Sequence, residues 1–332
     1  MDARSEPRAA SAESLRALEL FCGIGGFAAA VAGRAAIVGA YDVSAPALTV
    51  YRHNFPDHPT CARGLDALQP SALAAHRADL WWLSPPCQPF TVRGRRRDLD
   101  DPRARPFIAA LDAIVAVRPP YVALENVVGF LGSEMHALLR VALDDAGYRL
   151  AEHTLCPSDC GVPNRRPRYY ALAAHRDAPA LEPLPDALPE HGIVRALADA
   201  LDPQPFDPIR DAQLVVPPAL AARYAGALTI VDARAPSAGP TITSCFTAAY
   251  GRSPVRSGAY LREPASPSGL RRFRPSEILR LLGFPSWFTL PEAMPPRLGW
   301  RLVGNSLALV PVRALLMRIP ALRASLRVSS IA

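Results

Sequence analysis

Short apolar runs alternate with helix-like patterns through the first half of the chain, which predicts strand–helix units around a largely parallel sheet. Leu18-Glu19-Leu20-Phe21 reads as a first strand, broken by a glycine cluster before residues 27–31 open a helix. Ala35–Tyr41 is a second apolar strand that stops at Asp42, and residues 79–83, with Trp81 and Trp82, form a third, halted by Ser84-Pro85-Pro86. Residues 121–124 follow Pro119-Pro120 as another strand and run into Glu125-Asn126. Ser133 is placed to cap a helix whose Met135, Leu138, Leu139 and Ala142 recur at three-to-four spacing and which ends before Gly147. Residues 169–173 predict a further strand.

From about Asp177 the texture changes. Prolines become dense (Pro179, Pro183, Pro185, Pro189, Pro203, Pro205, Pro208) and strand periodicity fades, as in a loop-rich insert. Periodicity returns at residues 274–283, where Ile278, Leu281 and Leu282 share a helix face, and continues into residues 307–316, with a frayed end after Ala324. The fold class expected is α/β: a doubly wound, mostly parallel sheet with a small loop-rich insert.

At 332 residues, 50% hydrophobic and 20% charged, the chain suits one large α/β domain or one domain with a smaller insert, and global disorder is excluded. Arg, Asp or Pro interrupts every apolar run short of a membrane span, and residues 1–14 lack a signal-peptide core. Six cysteines read as reduced thiols of a cytoplasmic protein. Cys156 and Cys160, with His153 nearby, lack the usual zinc spacing, so no metal is expected, and Cys22 and Cys61 read as packing residues. The net charge of +7 is carried without a single Lys, so the placement of Arg says more about a polyanionic partner than the total does.

Ligands of open α/β sheets collect at the carboxyl ends of strands. After the first strand comes Phe21-Cys22-Gly23-Ile24-Gly25-Gly26-Phe27, where glycines admit a ligand to the backbone; the same cluster reads equally as a tight turn. Asp42 is placed for ribose hydroxyls or as a helix cap for Ser44-Ala45-Pro46, and Asp66 for an adenine amino group or plain surface. Ser84-Pro85-Pro86-Cys87-Gln88-Pro89-Phe90 presents a Cys on a proline-stiffened loop, which favours a nucleophile over a buried small hydrophobe. Desolvation of Glu125 at a strand end favours its protonated form, suited to a heteroaromatic ring nitrogen; its plain alternative is a cap. Period-two alternation sets Arg166 and Arg168 on one side of an extended segment, able to orient a carbonyl oxygen or hold phosphate.

Taken in order, these segments resemble a cytosine-C5 methyltransferase over residues 16–316. The glycine cluster resembles the first S-adenosylmethionine motif, Pro85-Pro86-Cys87-Gln88 the nucleophile loop and Glu125-Asn126-Val127 the cytosine-binding motif. Asn164-x-Arg166-x-Arg168 resembles the motif usually written Gln-x-Arg-x-Arg, with Asn replacing Gln, and Gly304-Asn305-Ser306 the last motif. Gly161-Val162-Pro163-Asn164, Cys245-Phe246-Thr247 before Tyr250-Gly251, Arg272-Phe273 and Leu282-Gly283-Phe284-Pro285 are similar to the tRNA-aspartate cytosine-5 methyltransferases, the DNA methyltransferase homologue 2 family, which modify cytosine 38 of the anticodon loop.

The resemblance implies catalysis by Cys87, Glu125, Arg166 and Arg168, with Cys87 attacking C6 of the base and Glu125 on N3 and the exocyclic amine. It implies S-adenosyl-L-methionine held by Phe21, Gly23, Ile24, Gly25, Gly26, Asp42, Val43, Asp66, Pro85, Asn305 and Ser306. Gln88, Arg93, Arg95, Arg96 and Arg97 form one expected nucleic-acid set; Cys245, Phe246, Thr247, Tyr250, Arg252, Arg256, Arg271 and Arg272 form another, both facing one groove. Residues 14–176 then carry catalysis and cofactor, 177–271 recognise the target and 272–324 return to the catalytic domain. A monomer acting on the anticodon stem-loop of tRNA is expected, the alternative being a DNA (cytosine-5)-methyltransferase of a restriction-modification system.

Overall fold

A buried sheet of seven strands, ordered β3-β2-β1-β4-β5-β7-β6, carries the amino-terminal part of the protein. The computed structural model describes residues 14–86, 101–185, 193–234 and 241–323. Cys87, Gln88, the cluster Arg93, Arg95, Arg96 and Arg97, and the chain from Ala324 lie outside the described residues.

In chain order the elements of this part are β1 (Leu15–Leu20), α1 (Gly26–Ala30), β2 (Ala35–Tyr41), α2 (Ala45–Asn54), β3 (Thr60–Cys61), α3 (Pro70–Ala74), β4 (Leu80–Leu83), α4 (Arg105–Val117), β5 (Tyr121–Val127), α5 (Glu134–Asp145), β6 (Tyr148–Leu155) and β7 (Arg168–His175). β1 pairs in parallel with β2 and β4, β2 with β3, and β4 with β5. β7 alone reverses, antiparallel to both β5 and β6. The expected mostly parallel α/β sheet is present.

Period-two alternation decides which face each side chain takes. Leu18, Leu20, Trp81, Leu83, Val122, Leu124, Tyr169 and Ala171 form one apolar face, packed with Leu73 of α3, Phe107 and Ile114 of α4 and Met135 and Leu139 of α5. The intervening residues turn the other way, where Trp82 stacks on Phe27 of α1 with centroids 5.0 Å apart. Helices therefore cover both faces, as double winding requires. Ser133 caps α5, its hydroxyl accepting the His136 N–H at 3.0 Å.

Among the elements the sequence analysis did not name are α4 and β6. α4 sets Phe107, Ala110, Leu111 and Ile114 at helical spacing and ends where Arg118 turns left-handed. β6 mixes Arg149, Glu152 and His153 into a half-exposed strand, so no clean alternation marks it.

The remainder of the described chain adds α6 (Pro218–Arg223), β8 (Thr229–Val231), β9 (Ala259–Arg262), β10 (Leu270–Arg272), α7 (Pro275–Leu281), α8 (Pro296–Gly304) and α9 (Leu309–Leu316). β8, β9 and β10 make a three-stranded sheet in the proline-rich region; strands of three or four residues are too short to show a period. Contacts divide the described residues into two compact units: residues 14–155, 167–185 and 312–323 in one, residues 156–166 and 193–311 in the other. No described helix is long and apolar enough to cross a membrane.

Candidate active site

In the first unit, the expected site residues gather at strand ends because the parallel register brings those ends level. Ser84 N donates to Leu20 O at 3.2 Å, and the Trp82 indole N–H fixes the Ser84 hydroxyl at 2.9 Å. Asn126, buried, donates from Nδ2 to Pro85 O at 3.5 Å while its Oδ1 accepts Val127 N at 2.8 Å, tying the end of β5 to the residues that follow β4. Because β7 runs antiparallel to β5, Val127 pairs with Arg168. The guanidinium therefore meets the Glu125 carboxylate, Nε to Oε1 at 3.2 Å, with both side chains mostly shielded from water. Glu125 sits within β5 rather than after it, its carboxylate oriented by an ion pair instead of standing alone.

At the ends of β1 and β2, Asp42 holds the glycine loop. Its Oδ2 accepts Gly23 N at 2.8 Å and its Oδ1 accepts Ser44 N at 2.7 Å. Burial pushes the Asp42 carboxyl up despite these bonds. The helix cap is Ser44, whose hydroxyl accepts Ala47 N at 3.4 Å, so the capping alternative for Asp42 falls to its neighbour. Gly23 is left-handed at φ 54°, and a Cβ added there would meet nothing within 4 Å: the loop fronts open space. Val43 is 71% exposed, an apolar side chain left bare beside Asp42. Asp66 stands exposed on a short 3₁₀ turn.

Beneath the glycine loop lies Glu19, which the sequence reading passed over. It is 1% exposed and accepts the Tyr51 hydroxyl at 3.0 Å and the backbone N–H groups of Phe27 and Ala28. Those amides open α1, so part of the helix's free N-terminal donors is already engaged by this carboxyl. Desolvation outweighs the bonds and pushes the Glu19 carboxyl up to about 8. A charged residue between Leu18 and Leu20 in a buried strand was the signal that could have found it.

The second unit is organised around Arg166, 3% exposed. Its Nη1 donates to Phe246 O at 2.7 Å and to Cys245 Sγ at 3.4 Å, and its Nη2 to Gly304 O at 3.2 Å and Ser306 O at 2.5 Å. Its own N–H donates to Cys156 Sγ at 3.1 Å. Asn164, fully buried, donates to Thr243 Oγ1 at 2.9 Å, and Arg165 N donates to Thr243 O at 2.8 Å. The segments Asn164–Arg166, Cys245–Phe246 and Gly304–Ser306 are thereby stitched together.

Several expectations need correction. The two arginines do not act as a pair: Arg168 meets Glu125, while Arg166 is a buried clamp on main-chain carbonyls. Phe246 and Tyr250, expected to contact nucleic acid, are buried core; Phe246 packs edge-on to Tyr250 and Phe273, and the Tyr250 hydroxyl bridges Ala259 O and Phe273 N. Arg271 is buried in a bidentate pair with Glu277, both bonds 2.8 Å, and Arg272 reaches Val215 O at 2.6 Å beside the Trp300 ring. Neither is placed for phosphate. Thr247 and Cys245 are half-buried, whereas Arg252 and Arg256 are exposed. Asn305 is exposed and Ser306 buried. No described group of acidic, Cys or His side chains could hold a metal ion.

The sequence profile of the C-5 cytosine-specific DNA methylases matches residues 15–202 of the chain. The chain belongs to that family. A tRNA (cytosine(38)-C(5))-methyltransferase of Mus musculus is 30% identical over 92% of this chain and 93% of its own length. The crystal structure of the S. pombe Dnmt2 methyltransferase superposes with a TM-score of 0.78 at 28% identity, covering 91% of this chain and 97% of that one. A DNA (cytosine-5)-methyltransferase of Dictyostelium discoideum is 30% identical over only 48% of this chain and 44% of its own.

As a cytosine-5 methyltransferase, the protein must hold its last motif in register, and Gly304 shows how. A Cβ there would lie 2.3 Å from the Thr247 backbone carbon, so only glycine lets α8 end against that strand of chain. Gly304→Ala is expected to cost about 1–3 kcal/mol, the usual range for overpacking. A thermal unfolding midpoint equal to that of the parent protein would refute the contact.

Proposed function

We propose that this cytosine-5 methyltransferase acts on RNA and transfers a methyl group from S-adenosyl-L-methionine to C5 of cytosine 38 in the anticodon loop of tRNA-Asp. The observation that carries the choice of RNA is extent: similarity to the tRNA enzyme runs through nearly the whole chain, while the DNA enzyme matches about half. The free thiols of the described cysteines agree with a reducing cytoplasm.

The donor set fits the cofactor. Phe21 and the bare Val43 offer apolar faces for adenine, Asp42 and the exposed Asp66 offer carboxylates for ribose and the amino group, and Gly23 leaves room at the backbone. Ile24, Gly25, Gly26, Pro85, Asn305 and Ser306 complete the proposed set. S-adenosylmethionine supplies an electrophilic methyl group when bound.

Cys87 attacks C6 of the cytosine as a thiolate, which makes C5 nucleophilic. Glu125 hydrogen-bonds N3 and the exocyclic amine, drawing charge toward the ring nitrogen as the thiolate adds. Arg168 keeps that carboxylate in place and reaches for the base carbonyl. Arg166 is a positioning residue, holding Gly304–Ser306 against Cys245–Phe246. Loss of the C5 proton then expels Cys87. Residues 177–271 are proposed to recognise the target, with Arg252 and Arg256 free to reach phosphate. An anticodon-loop cytosine, already outside a duplex, lowers the cost of unstacking the base.

The test offers purified protein labelled S-adenosylmethionine with a tRNA-Asp transcript and duplex DNA in parallel. Label at one anticodon-loop cytosine, abolished by Cys87→Ala, is expected. Label in DNA alone would reverse the choice of substrate.

A further inference from the structure

The segment Ser84-Pro85-Pro86, which leads to Cys87, has few main-chain means of fixing itself. Pro85 and Pro86 carry no N–H, so Ser84 N is its only main-chain donor, and that donor goes to Leu20 O at 3.2 Å. The segment is also stiff. Each proline holds φ near about −65°, and the ring that follows Ser84 keeps that residue out of the helical region. The orientation of Ser84 is therefore passed on with little slack along the chain, and Cys87 is the third residue after it.

The Ser84 side chain is oriented from inside the sheet. Trp82, two residues earlier on β4, donates its indole N–H to the Ser84 hydroxyl at 2.9 Å. The indole has no freedom to turn. It is fully buried, it stacks on Phe27 of α1 with centroids 5.0 Å apart and planes at 14°, and it pairs in register with Glu19 of β1. Glu19 in turn accepts the Phe27 N–H, so the ring that covers the indole is itself held from the neighbouring strand. A donor of fixed place and direction thus meets a half-buried hydroxyl where the chain leaves β4.

We propose that Trp82 is a positioning residue for the Cys87 thiolate, acting through the Ser84 hydroxyl. This rests on the reading of Cys87 as nucleophile. A buried indole needs an acceptor for its N–H, and a carbonyl or a water would serve. Here the acceptor is the last side chain before the two prolines, so satisfying the indole also sets the direction in which the loop departs. The other tether of this segment, Asn126 Nδ2 on Pro85 O, is longer at 3.5 Å. Attack on C6 tolerates little error, since a misplacement of about 1 Å can cost on the order of 100-fold in rate.

The test uses the full-length protein, with methyl transfer measured on whichever of a tRNA-Asp transcript or duplex DNA accepts label. Trp82→Phe keeps a ring against Phe27 but removes the N–H; Ser84→Ala removes the acceptor; Ser84→Thr keeps it. Trp82→Phe and Ser84→Ala should each lower kcat about tenfold, with KM for S-adenosylmethionine and for the nucleic acid within about twofold of the parent. The double variant should be no slower than the slower single one, because both substitutions remove the same bond. Ser84→Thr should retain the parent kcat. Urea unfolding gives the folded fraction of each variant, and a purely structural bond would leave kcat per folded molecule unchanged. Parental kcat per folded molecule in the single variants, or losses that multiply in the double one, overturn the role of Trp82 while Cys87→Ala is inactive. A Cys87→Ala protein that still transfers methyl overturns the nucleophile reading, and the proposal with it.

Discussion

Replacing Arg166 by Met is expected to lower folding stability by about 3–5 kcal/mol, because each buried acceptor left without its donor costs roughly 1–3 kcal/mol. Three carbonyl oxygens, those of Phe246, Gly304 and Ser306, lose a charged donor in this variant. Methionine fills the volume but supplies nothing to them. Arg166→Lys should recover less than half of the loss, since one ammonium on a flexible stem cannot serve acceptors that the two ends of a rigid fork reach together. Urea unfolding gives the comparison directly. A Met variant within 1 kcal/mol of the parent, about the net value of a single hydrogen bond, would mean that the clamp carries little of the fold. Because the proposed cofactor set includes Asn305 and Ser306, held through the same guanidinium, cofactor affinity is expected to fall as well.

The second large effect concerns pH. Glu19 ionises near 8 in the folded protein, far above the ordinary carboxylate value of 4.5, because it is buried. A carboxyl raised on folding stabilises the native state in its protonated form. That contribution is whole below pH 4.5 and declines until pH about 8, above which both states are ionised. Over that interval the slope approaches about 1.4 kcal/mol per pH unit as an upper limit. Glu19→Gln should therefore flatten the decline of stability between pH 6 and 8 and leave the variant the more stable protein at the alkaline end. Urea midpoints at three pH values test this, and parallel slopes for both proteins would show that Glu19 does not carry the proton.

Much of the fold was legible where one physical rule acted alone. Leu18 and Leu20, Trp81 and Leu83, and Val122 and Leu124 alternate because one sheet face is buried, and Ala35–Tyr41 is apolar enough to read without help. Chemistry at strand ends was legible for the same reason: Asp42 and Glu125 stand out against apolar runs. What the sequence hid was partnership at long range. Nothing local distinguishes Arg166, which clamps carbonyls 80 and 140 residues away, from Arg168, which meets a carboxylate across an antiparallel pair. Nor does the composition around Tyr250 distinguish an aromatic core from a nucleic-acid contact. Phe246 and Tyr250 beside arginines resembled a nucleic-acid surface, yet Arg271 is neutralised by Glu277 and both rings are enclosed. Glu19 was missed for the opposite reason, since a strand pattern was assigned around it and its exceptional burial follows only from that strand being central.

The first unit is assembled from residues at both ends of the described chain, and Arg313 closes on Ala30 across a separation of 283 positions. During synthesis, β1 and α1 leave the ribosome long before their last neighbour exists. The sheet can form early around its own hydrophobic face, but the surface that α9 covers stays bare until translation is nearly done. The second unit, residues 156–166 and 193–311 among those described, has its whole chain available before the first does. The first unit of the nascent methyltransferase therefore cannot complete its contacts until translation is nearly done, so it does not fold vectorially from its amino terminus.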